Sequence, residues 1–223
     1  MTDRSVTDHT ALIDGGTGAY LNEIGTLTNY GAFAGGQGPA YRGYAVQFQS
    51  PTDTLVVEAG STFLGAVSGA SVVEIRAATA DFTSTFTQSV VFGATGVLEL
   101  ADSQAYAGTI TGFSKTGATS LDLADIAFGT GTKASYSGTT ASGVLTVTDG
   151  THTAKFKLAG NYTTSTFSVS SDGHGGTTVL DPTKATSTHA FIAAMASFRA
   201  DAGGPITSVE SPTMAQSTLA IGR

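Results

Sequence analysis

The sequence is marked first by what it lacks. None of its 223 residues is a cysteine, which excludes disulfides, zinc–thiolate sites and thiol catalysis. Charged residues make up 12% of the chain, well below the ~25% of an average soluble protein. The net charge is −7, with 10 basic against 17 acidic residues. Because no basic stripe is available to displace phosphate counterions, the composition argues against a nucleic-acid partner.

Segments that enter or cross membranes are also missing. No stretch approaches the ~20 apolar residues of a membrane-spanning helix, so we expect no membrane insertion. The first residues, MTDRSVTDHTALIDGG, lack the apolar segment of a cleavable secretory signal peptide. This pattern fits either a cytoplasmic protein or one exported without a cleavable N-terminal signal.

Short strand-like runs and glycine are what the sequence has in abundance. Its 29 glycines punctuate apolar runs at residues 54–58, 71–75, 89–92 and 97–100. Strand-sized runs with frequent turn signals are typical of sandwiches, barrels and solenoids. The sequence therefore predicts an all-β fold.

A loose internal repeat favours a β-solenoid (β-helix) among these. LVVEAGSTFLGAVSG (residues 55–69) aligns with LELADSQAYAGTITG (residues 98–112), so that Leu55 matches Leu98. The offset corresponds to about two solenoid coils of ~20 residues. We interpret residues 1–106 as a solenoid segment, whose coils stack to bury a common core.

The next segment, residues 107–182, is predicted as a hairpin-rich β module continuous with the solenoid. Apolar residues alternate on both sides of Asp149-Gly150, a strong hairpin signal because the turn needs positive φ. Phe167, Val169 and Val179 flank SSDGHGG in the same way. Such antiparallel hairpins would shield the open edge of a solenoid.

The last segment, residues 183–223, is predicted as one short helix followed by a flexible tail. Phe191, Met195 and Phe198 recur at the spacing of one helix face. The helix is expected over about residues 187–202, with Ser187 or Thr188 as its N-cap and Gly203 as its stop.

Both predicted hairpin tips pair an aspartate with a histidine. Asp149 precedes His152, and Asp172 precedes His174. If the hairpins stack, these four side chains form a metal site; otherwise each aspartate begins a turn and each histidine is exposed. No HExxH-like spacing supports a catalytic metal, and we favour the turns.

Calcium is the one cofactor that the sequence leaves open. DGGTGAYLN (residues 14–22) nearly fits a calcium-binding nonapeptide, but Tyr20 stands where the liganding aspartate belongs. A calcium-dependent module for type I secretion is therefore an alternative function, and no other cofactor is predicted.

The loop GGQGPAYRGYAVQF (residues 35–48) contains the candidate binding residues. Tyr41, Arg42 and Tyr44 lie together there, and tyrosine and arginine are favoured at contact hot spots. The alternative is a plain loop whose tyrosines pack on the next coil.

Catalytic patterns are sparse, so an enzyme is the less favoured class. No G-x-S-x-G motif lies between a strand and a helix. Asp122 and Asp125 are the closest acidic pair in an apolar context, and Glu58, Glu74 and Glu99 each lie within a predicted strand, where acids more often face solvent. They keep a carbohydrate-active β-helix enzyme, a polysaccharide lyase or hydrolase, as an alternative.

Two segments resemble known families. GTLTNYGAFAG (residues 25–35) with DTLVVEAGSTFLGAV (residues 53–67) resembles β-helical passenger repeats of bacterial autotransporters. Residues 107–182, with LDLADIAFG, GVLTVTDGTHTA, GNY and SSDGHGGT in order, are similar to a C-terminal module of large secreted bacterial proteins of the hemolysin-type or adhesin-like kind. The resemblance implies an extracellular or cell-surface β protein exported without a classical signal peptide, and it carries over no catalytic residues.

We therefore expect a non-enzymatic, secreted or surface-associated β protein. Its expected role is adhesion, matrix contact or self-assembly, through exposed strand edges or the loop with Tyr41 and Tyr44. The expected partners are a glycan or protein surface, or further copies of the chain in a homo-oligomer.

Overall fold

The computed structural model describes residues 4–8, 11–12, 19–21, 25–35, 43–50, 52–70 and 72–182. The chain divides into two units, residues 1–184 and 185–223, and every described residue belongs to the first. The predicted helix over residues 187–202 lies outside the described residues. Within the described part, no helix is long and apolar enough to span a membrane.

The first three coils are three-sided, and each side adds a strand to one of three sheets. In chain order the strands are β1 (Arg4–Asp8), β2 (Ala11–Leu12), β3 (Ala19–Leu21), β4 (Gly25–Asn29), β5 (Ala32–Ala34), β6 (Tyr44–Phe48), β7 (Thr54–Val57), β8 (Thr62–Leu64) and β9 (Ala66–Ser68). Strands β1, β4 and β7 join the first sheet, β2, β5 and β8 the second, and β3, β6 and β9 the third. All pairings among them are parallel, as a solenoid requires.

The following coils continue only the first two sheets. They contain β10 (Val72–Ile75), β11 (Thr79–Phe82), β12 (Ser89–Phe92), β13 (Gly96–Leu100), β14 (Thr109–Thr111) and β15 (Thr119–Leu123). The third side of these coils includes a short 3-10 turn, Ser103–Ala105. Parallel pairing thus extends beyond residue 106, through β14 and β15.

Antiparallel hairpins end both sheets. The last strands are β16 (Lys133–Gly138), β17 (Ser142–Thr148), β18 (Thr153–Ala159), β19 (Ser168–Ser171) and β20 (Thr177–Leu180). Strand β18 pairs parallel with β14 and antiparallel with β17, which pairs with β16. Strand β20 pairs antiparallel with both β15 and β19. The predicted hairpins at Asp149-Gly150 and at residues 172–176 are confirmed, and β16 adds a strand that was not predicted.

The stacking of coils confirms the solenoid but corrects its repeat. Leu55, Val73, Val90 and Ile110 lie in register on β7, β10, β12 and β14 and are fully buried, so that one coil takes about 17–20 residues. The alignment of Leu55 with Leu98 is wrong, because β7 belongs to the first sheet and β13 to the second. Leu55 and Leu98 thus face the core from different sides of the solenoid. The two segments look alike because each forms a short apolar strand, not because they occupy equivalent positions in two coils.

Aromatic rings form a continuous series through the core. In order along the solenoid these are Phe33, Phe63, Phe82, Phe86, Tyr106 and Phe156. The closest pair is Phe82 and Phe86, whose ring centroids lie 3.8 Å apart with the planes at 6°. Stacked rings stabilise the fold beyond the contribution of their buried area, and this series links the core of the parallel coils to that of the hairpins.

Candidate functional site

The first hairpin tip holds Asp149 and His152 within a turn. Asp149 Oδ1 accepts the backbone N–H groups of Thr151 at 2.7 Å and His152 at 2.6 Å. Its Oδ2 lies 2.9 Å from His152 Nδ1 and accepts the N–H of Ala127 at 3.2 Å. These hydrogen bonds, led by that from the His152 backbone, hold the pKa of Asp149 well below its usual range. Both carboxylate oxygens of Asp149 are thus occupied by hydrogen bonds within the turn or beside it.

The second tip is a comparable turn. Asp172 accepts the N–H of His174 at 2.6 Å and that of Gly176 at 3.0 Å. Gly173 and Gly175 take positive φ values of 86° and 102°, which glycine adopts without strain, and His174 is exposed. Among the described residues, no group of three or more histidine, aspartate or glutamate side chains is placed to hold a metal ion. The four predicted ligands therefore do not form one metal-binding group.

The second sheet carries a row of acids on its outer face. Asp81, Glu99 and Asp122 are register partners on β11, β13 and β15, and the residues before and after each of them are buried. We call these three residues the carboxylate row. Since parallel strands lie ~4.8 Å apart, successive carboxylates are close neighbours.

Burial and mutual repulsion both act on this row. Partial burial raises the pKa of Asp81, Glu99 and Asp122. The charges of Asp81 and Asp122 add to the effect on Glu99. At the second hairpin tip, the negative charge of Asp172 raises the pKa of Glu99 and Asp122, and His174 lowers it. The tip thus lies near enough to the row to act on it electrostatically.

Sequence reasoning paired Asp122 with Asp125 and named Glu99 only as one of three strand acids, and it missed Asp81. The signal that could have identified the row is the spacing of Asp81, Glu99 and Asp122, which recur at about the length of one coil. Recognising it required the correct assignment of β11, β13 and β15 to one sheet, which the misaligned repeat obscured.

Exposed apolar and aromatic side chains lie on two strands of the third sheet and on the neighbouring strand β8. Tyr20 on β3 is 56% exposed and Tyr44 on β6 is 41% exposed. Leu64, 42% exposed, ends β8 two residues before Ala66, the register partner of Tyr44. We call Tyr20, Tyr44 and Leu64 the tyrosine face. The other two predicted binding residues, Tyr41 and Arg42, lie outside the described residues.

Comparisons with known proteins give no relative. No protein-family model, no curated protein and no solved structure matches the chain. The likeness of residues 107–182 to hemolysin-type or adhesin-like modules therefore stays a prediction.

Proposed function

We propose that the protein is a non-enzymatic, extracellular or surface-associated solenoid that makes adhesive contacts through the tyrosine face. The observation that carries the proposal is the exposure of Tyr20 and Tyr44 on neighbouring strands of one sheet, where Tyr20 pairs with Gln47, three residues along β6 from Tyr44. Tyrosine supplies a large, rigid contact area with a polar tip, and it is enriched at binding hot spots.

Contact through this face is favoured over assembly through strand edges. In the described part of the chain, β16 and β19 are the outermost strands at the hairpin end of the first and second sheets. Strand β19 spans only four residues, and β16 begins with an exposed lysine, Lys133. Short edge strands and lysine on an edge are devices that discourage pairing with further chains.

The test compares a variant of the tyrosine face with a matched surface variant. The double substitution Tyr20→Ser and Tyr44→Ser should lower binding to immobilised glycans or extracellular-matrix proteins by about tenfold or more. Phe128→Ser is the control, because Phe128 is 43% exposed and lies outside the tyrosine face. Circular dichroism checks that both variants keep the fold. Equal binding by the two variants, or a native protein that binds no surface in the panel, would refute the proposal.

The carboxylate row favours a second candidate, a carbohydrate-active enzyme. The ~4.8 Å spacing of parallel strands is near the ~5–5.5 Å that separates the two carboxyl groups in retaining glycosidases. Burial raises the pKa of each acid in the row, and an acid of raised pKa is the proton donor that such chemistry uses. In this case the native protein releases reducing or unsaturated ends from an acidic polysaccharide.

Substitution of the central acid tests this candidate. Glu99→Gln should then lower the rate by about 10²-fold or more. Glu74→Gln is the control, because Glu74 is paired with Arg76 on the first sheet. Absence of products with the native protein on a broad panel of polysaccharides rejects the enzyme and leaves the adhesive function.

A further inference from the structure

A small polar cavity lies beside the terminal hairpins, away from the tyrosine face and the carboxylate row. Its volume is about 250 Å³, and its lining consists of Lys115, Thr164, Ser165, Thr166, Asp181 and Pro182. We call it the terminal pocket. Its volume is slightly below the ~300–1,000 Å³ of pockets for drug-sized ligands, so its size suits one monosaccharide unit.

Asp181 gives this pocket an unusual feature, a buried carboxylate with one unused oxygen. The residue is only 1% exposed. Its Oδ1 accepts the N–H of Thr166 at 3.2 Å, whereas Oδ2 is buried and has no hydrogen-bond partner within the described residues. The Ser165 hydroxyl in the same lining is also buried and unpartnered. Such groups are costly to bury unless they are satisfied, so the pocket is suited to a ligand that donates hydrogen bonds.

Lys115 supplies the opposite charge on the rim. Its ammonium lies 5.5 Å from the centroid of the Tyr162 ring. It has no ion-pair partner among the described side chains. A carboxylate acceptor and an unpaired ammonium thus line one cavity without neutralising each other. This arrangement fits a ligand that carries both an anionic group and hydrogen-bond donors.

An adjoining cavity of about 230 Å³ adds aromatic surface. It shares Ser165 and Thr166 with the terminal pocket and is also lined by Tyr136, Tyr162 and Phe167. The charge of Asp181, after burial, raises the pKa of Tyr162, which ties the carboxylate to this ring. Aromatic edges and hydroxyls side by side suit a sugar, whose ring presents C–H groups next to hydroxyls.

We propose that the terminal pocket binds a uronic acid residue, with its carboxylate on Lys115 and a hydroxyl donating to Asp181 Oδ2. Thr164, Ser165 and Thr166 offer hydroxyl partners for the remaining polar groups, and Pro182 offers an apolar wall. The proposal is independent of the adhesive function, because none of these residues belongs to the tyrosine face.

The test titrates the full chain with galacturonate and with galactose while the backbone amides are followed by NMR. Galacturonate is expected to bind saturably, with shifts at Thr164, Ser165 and Thr166, and at least about fivefold more tightly than galactose, which lacks the carboxylate. Asp181→Asn and Lys115→Met should each weaken galacturonate binding by about tenfold or more, since each removes one charged hydrogen bond. Lys157→Met on β18 removes a charge elsewhere and should leave the affinity unchanged.

Several outcomes overturn the proposal. These are an unsaturated titration at tens of millimolar sugar, equal binding of galactose, or an affinity that neither Asp181→Asn nor Lys115→Met changes. Displacement by acetate at the same concentration as galacturonate indicates a simple anion site and also refutes it. Because Lys115 is exposed, its substitution keeps the test valid even if Asp181→Asn fails to fold. Failure of the tyrosine-face variants would leave these results untouched.

Discussion

Removing the central charge of the carboxylate row should stabilise the protein. Glu99 has a like-charged register partner on each side, Asp81 and Asp122. Two unit charges ~5 Å apart repel by ~0.8 kcal/mol in water, and screening at ~0.15 M salt roughly halves that energy. Two neighbours together cost ~1 kcal/mol. Glu99→Gln should therefore raise the free energy of unfolding by ~1 kcal/mol at pH 7, which is about 2–4 °C in Tm for a chain of this size.

The pH dependence of this gain follows from the direction of the pKa shifts. Burial first, and then the neighbouring acids, raise the pKa of Glu99 in the folded state, so the folded protein takes up protons at higher pH than the unfolded chain. The destabilisation is fully present above the folded-state pKa and is relieved as the pH falls towards the unfolded value of ~4.3. The gain from Glu99→Gln is thus expected at pH 7 and lost near pH 4.

The assay is urea unfolding of each variant at both pH values and at low and high salt. Asp81→Asn should give about half the gain, because Asp81 has only one acid beside it in the row. Glu74→Gln should give no gain, since Glu74 accepts hydrogen bonds of 2.8 Å from Arg76. A Glu99→Gln variant that is no more stable than the native protein at pH 7, or whose gain is as large in ~1 M salt as at low salt, would refute the repulsion between the acids.

Two further predictions concern the core and a tight turn. Phe82→Ala should lower the free energy of unfolding, measured with urea, by about 3–5 kcal/mol. Phe128→Ala, at an exposed position, should change it by less than ~0.5 kcal/mol. Similar losses in the two variants would contradict the packing of Phe82 in the aromatic series. Gly69→Ala should destabilise clearly more than Gly150→Ala in thermal unfolding. Both glycines have positive φ, but a Cβ on Gly69 would overlap the backbone of Phe48 whereas that on Gly150 meets open space, so equal Tm values would contradict this packing.

Local signals in the sequence were enough to predict the hairpins but not the row of acids. The turn at Asp149-Gly150 depends on residues within a few positions of each other, and its alternating arms are visible in the sequence. Membership of the carboxylate row depends on which strands stack, and corner lengths between strands vary from coil to coil. Leu55 and Leu98 show the difficulty, because a buried leucine in a short apolar strand looks the same in the sequence on any side of a coil.

The terminal pocket has no sequence signal at all. Asp181 precedes a proline at the end of a strand, which reads as an ordinary turn position. Its Oδ1 accepts the N–H of Thr166, and its backbone carbonyl accepts the N–H of Gly117. The feature that matters is its Oδ2, which is buried without a hydrogen-bond partner among the described residues. Strand β16 was missed for a related reason, since KASYSG lacks the strong apolar alternation of its partner β17.

The change from parallel to antiparallel pairing at β18 and β20 also gives the chain a direction of folding. Hairpins with short turns form in about 1–10 μs, whereas each parallel coil must first close a loop of about 20 residues. The hairpins can thus form early and present β18 and β20 as templates for β14 and β15. Coils would then be added one after another towards the N-terminus, each resting only on the one before. Amide hydrogens are accordingly expected to be protected earliest in β17 and β18 and latest in the coils farthest from them.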